Sequence, residues 1–434
     1  MIIQVLFFKN KIYKLNEKTV SDLKEIKSEI EKNREIFKNI TIEKIIDLFH
    51  QFGRELLHNK EFISFEGVPF LSNWLRKGNI EKIVIKNLGS FEVLKDFIGE
   101  GRKKVKAQPR GVICQWIAGN VPTLGFFSLI QSILVGNSNI VKIPPASQFI
   151  FLELIKLFRK TEIEGLKGSD ILKTVAVIDF LPSDTKSNLN FSLTADARVI
   201  WGGQEAVDAI SKTTKLSHCD DIIFGPKYSF GVVDKKAQES EEFPKLIRRF
   251  VNDIIIFDQG ACSSPQVIFF EKGVLSLESI GQLFEEEFKL ASERFPKNGI
   301  DQFIASKIIN IRAEYALSPE KKMFASKEND WTILMDNNIR LEEPVQSRTI
   351  FLKQVESVMD CVDLITPRIQ TIGTAIYDRN KLLEFVDAVT YKGVARCVLP
   401  GQMNFYDSPW DGIYFLNRLV RWVTLYMPSE EKLK

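Results

Sequence analysis

Few side chains in this sequence have the capacity for covalent chemistry, and they are far apart. Cys262 stands in Ile256-Phe257-Asp258-Gln259-Gly260-Ala261-Cys262-Ser263-Ser264-Pro265, where a hydrophobic run ends in a small loop and the apolar stretch Val267-Ile268-Phe269-Phe270 follows at once. A thiol shown on such a loop is placed as a nucleophile would be, for attack of its thiolate on an acyl carbon. Taken alone, it reads first as a buried structural cysteine in a turn, and the nucleophile reading rests on its context. Cys114 and Cys397 lie in apolar strand-like runs, Cys361 in an expected helix, and Cys219 beside two aspartates that oppose a thiolate, so these four read as structural. No CxxC or Cys/His spacing suggests a metal site. His50 and His58 fall on one expected helix as edge or capping residues, and His218, shortly before Gly225-Pro226-Lys227, reads as a surface-turn residue, with entry into the site as the alternative.

A second set of polar residues follows apolar strand-like runs. Ala118-Gly119-Asn120-Val121-Pro122 combines a glycine that permits close backbone approach with an amide at the start of a helix. Lys142-Ile143-Pro144-Pro145 ends the next strand. In Trp201-Gly202-Gly203-Gln204 a glycine pair opens a helix, where backbone N–H groups and the helix dipole can receive a diphosphate. Each is weak alone, and neither GxGxxG nor a Walker loop is present.

The elements that must position these residues alternate. Strands over 111–117, 140–143, 172–180, 198–201 and 228–233 are interleaved with helices over 123–135, 149–159 and 205–212, which requires parallel strands with crossover helices. Such a sheet binds ligands at the carboxyl ends of its strands. Residues 18–100 are mainly helical, with Ile42, Ile45, Ile46, Leu48, Phe49 and Phe52 on one face, after a first strand at Met1–Lys9. Beyond the thiol, a helix over 277–288, strands over 331–335, 349–352 and 370–377 and a helix over 382–389 form a second α/β domain. The 33 phenylalanines suit an apolar channel or ordinary cores equally. Lys plus Arg (59) nearly balances Asp plus Glu (56), which argues against a nucleic-acid partner. The run Arg102-Lys103-Lys104-Val105-Lys106 reads as a solvated face or as a contact for nucleotide or coenzyme phosphates. No apolar run is long enough to span a membrane, no signal peptide is evident, and the unpaired cysteines suit the cytoplasm.

In order, Pro109-Arg110-Gly111-Val112, Gly119-Asn120-Val121-Pro122, Gly136-Asn137-Ser138-Asn139-Ile140-Val141-Lys142, Trp201-Gly202-Gly203, Gly225-Pro226-Lys227 and Gln259-Gly260-Ala261-Cys262 resemble the aldehyde dehydrogenase superfamily. Within it the sequence is most similar to LuxC-like acyl-CoA reductases, the fatty acid reductases of bacterial luminescence. Phe224-Gly225-Pro226-Lys227-Tyr228-Ser229, Cys262-Ser263-Ser264-Pro265, Arg348-Thr349-Ile350, Pro409-Trp410-Asp411-Gly412 and Arg421-Trp422 carry that finer likeness, which covers roughly residues 105–425.

The resemblance implies a Rossmann-type cofactor domain and a second α/β domain that carries the nucleophile, with the active site in the cleft between them. It makes Cys262 the catalytic thiol and Asn120 the side-chain oxyanion donor, acting with the backbone N–H of Cys262. Lys142 would contact the adenine ribose, Gly202 and Gly203 would lie by the diphosphate, and Glu343 would hold the nicotinamide ribose. The expected divisions are an N-terminal helical region with the NAD(P) domain (1–238), a catalytic domain (239–400), and a C-terminal segment (401–434) packing on the cofactor domain or a neighbouring subunit.

Two departures from the superfamily are informative. Ile223 occupies the position of the glutamate that activates water in hydrolytic members, and isoleucine cannot be a general base. Pro145 stands where NAD-preferring members often have a carboxylate, which makes NADPH the expected cofactor and NADH the alternative. The expected reaction is reduction of a long-chain acyl-CoA or acyl thioester to the aldehyde through an acyl-Cys262 thioester. The competing readings are a hydrolytic aldehyde dehydrogenase and a non-redox acyl-transfer subunit. An acyl transferase or acyl-protein synthetase and further copies of the chain are the expected partners.

Overall fold

The computed structural model describes residues 2–297 and 299–428. The chain forms two compact units, Met1–Gly225 with Tyr406–Lys434, and Pro226–Phe405.

The first unit is built on an eight-stranded sheet. Its centre is five parallel strands, Val112–Trp116, Ser138–Lys142, Val175–Asp179, Ala197–Trp201 and Asp220–Phe224. Numbered along the chain, they lie in the order 3-2-1-4-5, the dinucleotide-binding arrangement. The first, second and fourth are buried at every position, as a sheet covered on both faces requires. The N-terminal strand Ile3–Phe8 pairs antiparallel with Val175–Asp179 and extends the sheet. Helix Ile42–His58 is capped by Thr41, whose side chain accepts from the Lys44 N–H. Its buried Phe49 and Phe52 meet Phe158 at 5.1 and 5.2 Å between ring centroids.

The C-terminal segment folds into this same unit. Trp410 and Ile413 exchange backbone hydrogen bonds of 3.1 and 2.8 Å around Asp411 (φ 51°) and Gly412 (φ 74°). Two left-handed central residues define a type I′ turn, for which Asp-Gly is a preferred pair. The turn places Trp410 against Tyr406, which packs on Phe127 and Trp74. Strand Val420–Tyr426 then pairs antiparallel with Lys103–Pro109. Much of the basic run is thereby engaged locally: Arg102, Lys104 and Lys106 donate to the carbonyls of Met427, Gly99 and Lys95.

The second unit holds a seven-stranded sheet, parallel except for its edge strand Lys322–Ala325. Strand Tyr228–Val233 pairs with Pro265–Glu271 and Ile369–Ala375. It therefore belongs to this sheet, although the sequence pattern grouped it with the first. The strand alternation runs through Gly225 without a compositional break, so nothing local marks the change of sheet. Helix Gln302–Leu317 also went unread, because its apolar residues are spread around the axis; Phe303 and Leu317 are exposed while Ile308 is buried.

Candidate active site

Cys262 lies in a turn at the amino-terminal edge of the second sheet, just before strand Pro265–Glu271. It is half-buried between fully or nearly buried neighbours Ala261 and Ser263. Helix Phe243–Ile255 leads into a 3₁₀ turn in which Phe257, Asp258 and Gln259 have φ of 58°, 45° and 62°. Left-handed backbone costs non-glycine residues roughly 1–2 kcal/mol each, so three in succession need external support.

That support comes from a second such triplet, Gln346, Ser347 and Arg348, with φ of 69°, 55° and 61°. Ser347 N–H donates to the Asp258 carbonyl (2.8 Å), and Arg348 Nε donates to Asp258 Oδ1 (2.5 Å). The Gln259 amide accepts from Thr349 N–H (2.7 Å) and donates to the carbonyls of Thr349 (3.0 Å) and Pro265 (2.8 Å). Arg348 also reaches the Phe295 carbonyl (2.9 Å), and Lys297 Nζ donates to the Ser347 carbonyl (3.2 Å). Burial holds the Lys297 ammonium down to about 8.

The far side of the thiol is fastened by other segments. Ser229 Oγ donates to the Cys262 carbonyl (2.8 Å) and accepts from Thr371 N–H (3.1 Å). Asn404 Oδ1 accepts from Ser263 Oγ (2.7 Å) and Ser264 Oγ (3.2 Å), while its amide donates to the Asp253 carbonyl (2.8 Å). The buried Asp253 carboxylate accepts from the N–H groups of Gly401 (2.5 Å) and Met403 (3.3 Å). Desolvation outweighs these bonds and raises its pKa to about 7.

The other four cysteines are also thiols. Burial pushes Cys219 up to about 11 and Cys397 to about 12, and raises Cys114 and Cys361 strongly. None is in a setting that favours thiolate at neutral pH.

The adjacent glutamates at 342 and 343 have opposite fates. Glu343 is exposed and pairs with Arg368 at 2.9 and 3.2 Å. Glu342 turns inward to Lys353 Nζ (2.7 Å), which is fully buried and also meets Asp336 (3.0 Å) and the Asn338 carbonyl (3.0 Å).

In the first unit, Asn120, Lys142, Gly202 and Gly203 all follow or end parallel strands at the carboxyl edge of the sheet. Asn120 is exposed in a bend, and the N-cap of the next helix, Leu124–Leu134, is Thr123. Gly203 is the N-cap of helix Gln204–Ser211, without a side chain capping its first N–H groups. A Cβ at Gly203 would meet nothing within 4 Å in the described structure. These open backbone donors, at the end of the fourth strand of a 3-2-1-4-5 sheet, fit the diphosphate of a dinucleotide. Lys142 is 8% exposed; its Nζ lies 3.3 Å from Asp179 Oδ1 and 5.1 Å from the centre of the Phe180 ring. Asp179 went unnoticed in the sequence, where it merely ends the apolar run Val175-Ala176-Val177-Ile178. Ile223 is on strand Asp220–Phe224 against the apolar core. His218 is exposed, 3.1 Å from Asp196.

This fold is that of the aldehyde dehydrogenases: an aldehyde dehydrogenase from Brucella melitensis biovar abortus 2308 superposes with a TM-score of 0.69 at 12% identity, over 98% of this chain and 97% of that one. A Mycobacterium tuberculosis Δ-pyrroline-5-carboxylate dehydrogenase bound with NAD and cobalamin gives 0.66 at 10% identity, over 98% and 90%. The glyceraldehyde-3-phosphate dehydrogenase GapN from Methanocaldococcus jannaschii, complexed with NADP, gives 0.63 at 13%, over 97% and 98%. Residues 37–422 match the acyl-CoA reductase (LuxC) family model, and the chain belongs to that family. It is 26% identical over 422 residues to a long-chain acyl-protein thioester reductase of Vibrio harveyi, covering 91% of this chain and 85% of that one. A protein of the same description from Aliivibrio fischeri is 27% identical over 376 residues, covering 82% and 74%. No helix among the described residues is long and apolar enough to cross a membrane.

Proposed function

We propose that this protein reduces a long-chain acyl thioester to the aldehyde through an acyl-Cys262 intermediate. The observation that carries the reading is the supported display of Cys262, whereas burial raises the pKa of each of the four other thiols. The acyl group is carried by a protein thiol or by coenzyme A. The names of the Vibrio harveyi and Aliivibrio fischeri relatives favour the protein-borne thioester.

In this mechanism the Cys262 thiolate attacks the thioester carbonyl carbon. The Cys262 N–H would take the developing oxyanion, with Asn120 as the side-chain donor that the family resemblance implies, and one such donor is typically worth ~10²–10³ in rate. The carbonyl reforms as the donor thiolate leaves, giving the acyl-enzyme. NADPH, or NADH in its place, supplies the hydride for reduction to the aldehyde when bound, and Cys262 regains its thiolate as the aldehyde departs. Gly202 and Gly203 would receive the diphosphate, Lys142 the adenosine ribose and Glu343 the nicotinamide ribose. Ile223 offers no base to activate water, which separates this reading from a hydrolytic aldehyde dehydrogenase.

Intact-mass measurement with a long-chain acyl thioester tests the proposal. An acyl adduct should form on the wild type, vanish in Cys262→Ala, and be discharged as aldehyde on adding NADPH. An adduct that persists in the mutant removes Cys262 from the role.

A further inference from the structure

In a sheet of order 3-2-1-4-5, the end of the second strand is where an acidic side chain reads the 2′-hydroxyl of the adenosine ribose. Here the second strand ends in Lys142, and Pro144-Pro145 follow. Judged from the strand and its own turn, the site is purely cationic and suits a 2′-phosphate. The structure supplies the missing carboxylate from the neighbouring strand. Lys142 pairs with Ile178 in the parallel register, so Asp179 is the next residue along and projects from the same edge.

Asp179 is held in place. Its Oδ1 accepts from Phe180 N–H (2.8 Å) and faces Lys142 Nζ (3.3 Å), and its Oδ2 accepts from Gln148 Nε2 (2.8 Å). Gln148 comes from the first turn of helix Pro145–Phe158, which directly follows the Lys142 strand. The paired side chains are 10% and 18% exposed, so solvent screens their charges little.

We propose that Asp179 is a specificity-determining residue for the nicotinamide dinucleotide, opposing the 2′-phosphate of NADP(H) and accepting from the 2′-hydroxyl of NAD(H). The inference rests on the reading that the carboxyl edge of this sheet binds a dinucleotide. Lys142 attracts a 2′-phosphate, and Asp179 offsets that attraction at the same point. Removing the carboxylate charge leaves Lys142 unopposed, so the balance shifts toward NADP(H).

Calorimetric binding of NAD⁺ and NADP⁺ to the full chain tests this without reliance on turnover. Asp179→Asn keeps the volume, and the Gln148 amide can turn to match it. The ratio of NADP⁺ to NAD⁺ affinity should rise on the order of tenfold. In Lys142→Met, which leaves Asp179 unopposed, the ratio should fall by a similar factor; Asp179→Ser, which also removes the carboxylate charge, carries the test should Asp179→Asn not fold. If both dinucleotides bind and the ratio stays unchanged, the inference is overturned while the cofactor reading stands. Binding of neither dinucleotide to the wild type overturns both.

Discussion

Arg348 donates to the Asp258 carboxylate at 2.5 Å, and both residues lie in left-handed backbone. Among the described residues, six of the twelve non-glycine positions with positive φ fall in the two triplets that this pair joins. Strain concentrated in this way marks a conformation held for a purpose. Arg348→Ala should lower kcat by at least about tenfold, KM less, and stability by ~2 kcal/mol, between the values for exposed and buried pairs. Steady-state kinetics and thermal melts check this, and unchanged kcat would sink the clamp's role.

Gln259 tests the same clamp through a single atom. Its Nε2 faces the carbonyl oxygens of Pro265 and Thr349. Gln259→Glu replaces that donor with an acceptor opposite two acceptors. A loss of about 2–3 kcal/mol in urea denaturation is expected.

The cysteines should separate by reactivity. At pH 8, thiols at about 11 and 12 carry thiolate fractions on the order of 10⁻³ and 10⁻⁴ for Cys219 and Cys397. Brief treatment with iodoacetamide followed by peptide mapping should label Cys262 first. Equal labelling of Cys219 or Cys397 would contradict the assignment of the nucleophile.

Asp253 gives a pH signature. Its folded pKa, about 7, lies above the ordinary aspartate value of 3.8 because burial disfavours the carboxylate. A raised folded pKa contributes stability that is full below 3.8 and is lost as pH rises through about 7. Asp253→Asn cannot titrate, so the wild type should lose stability relative to the mutant between pH 5 and 8, as followed by melts across that range. A pH-independent difference would show that Asp253 is not the titrating group.

The alternating strands, the glycine turns and the Cys262 loop were legible because each is written in adjacent residues. Arg348, Asn404 and Asp179 were not, because their partners stand 90, 141 and 37 residues away in the chain. No periodicity joins such pairs. The left-handed triplets contain no glycine, so the usual sequence mark of positive φ is missing from them. By contrast Asp411-Gly412 bears that mark openly, and its turn follows from residue type alone. Glu342 and Glu343 are indistinguishable by type. Only the buried Lys353 shows which of them turns inward.

The fastening of Ser263 and Ser264 to Asn404 also bears on synthesis. A growing chain emerges from the ribosome amino end first, so Cys262 is outside well before Arg348, Thr371 and Asn404 have been made. Until then the loop lacks the bonds that hold its left-handed backbone. The Cys262 loop gains its last fastenings only with the final segment of its own unit, so a truncated or half-made product carries this thiol on an unfastened loop.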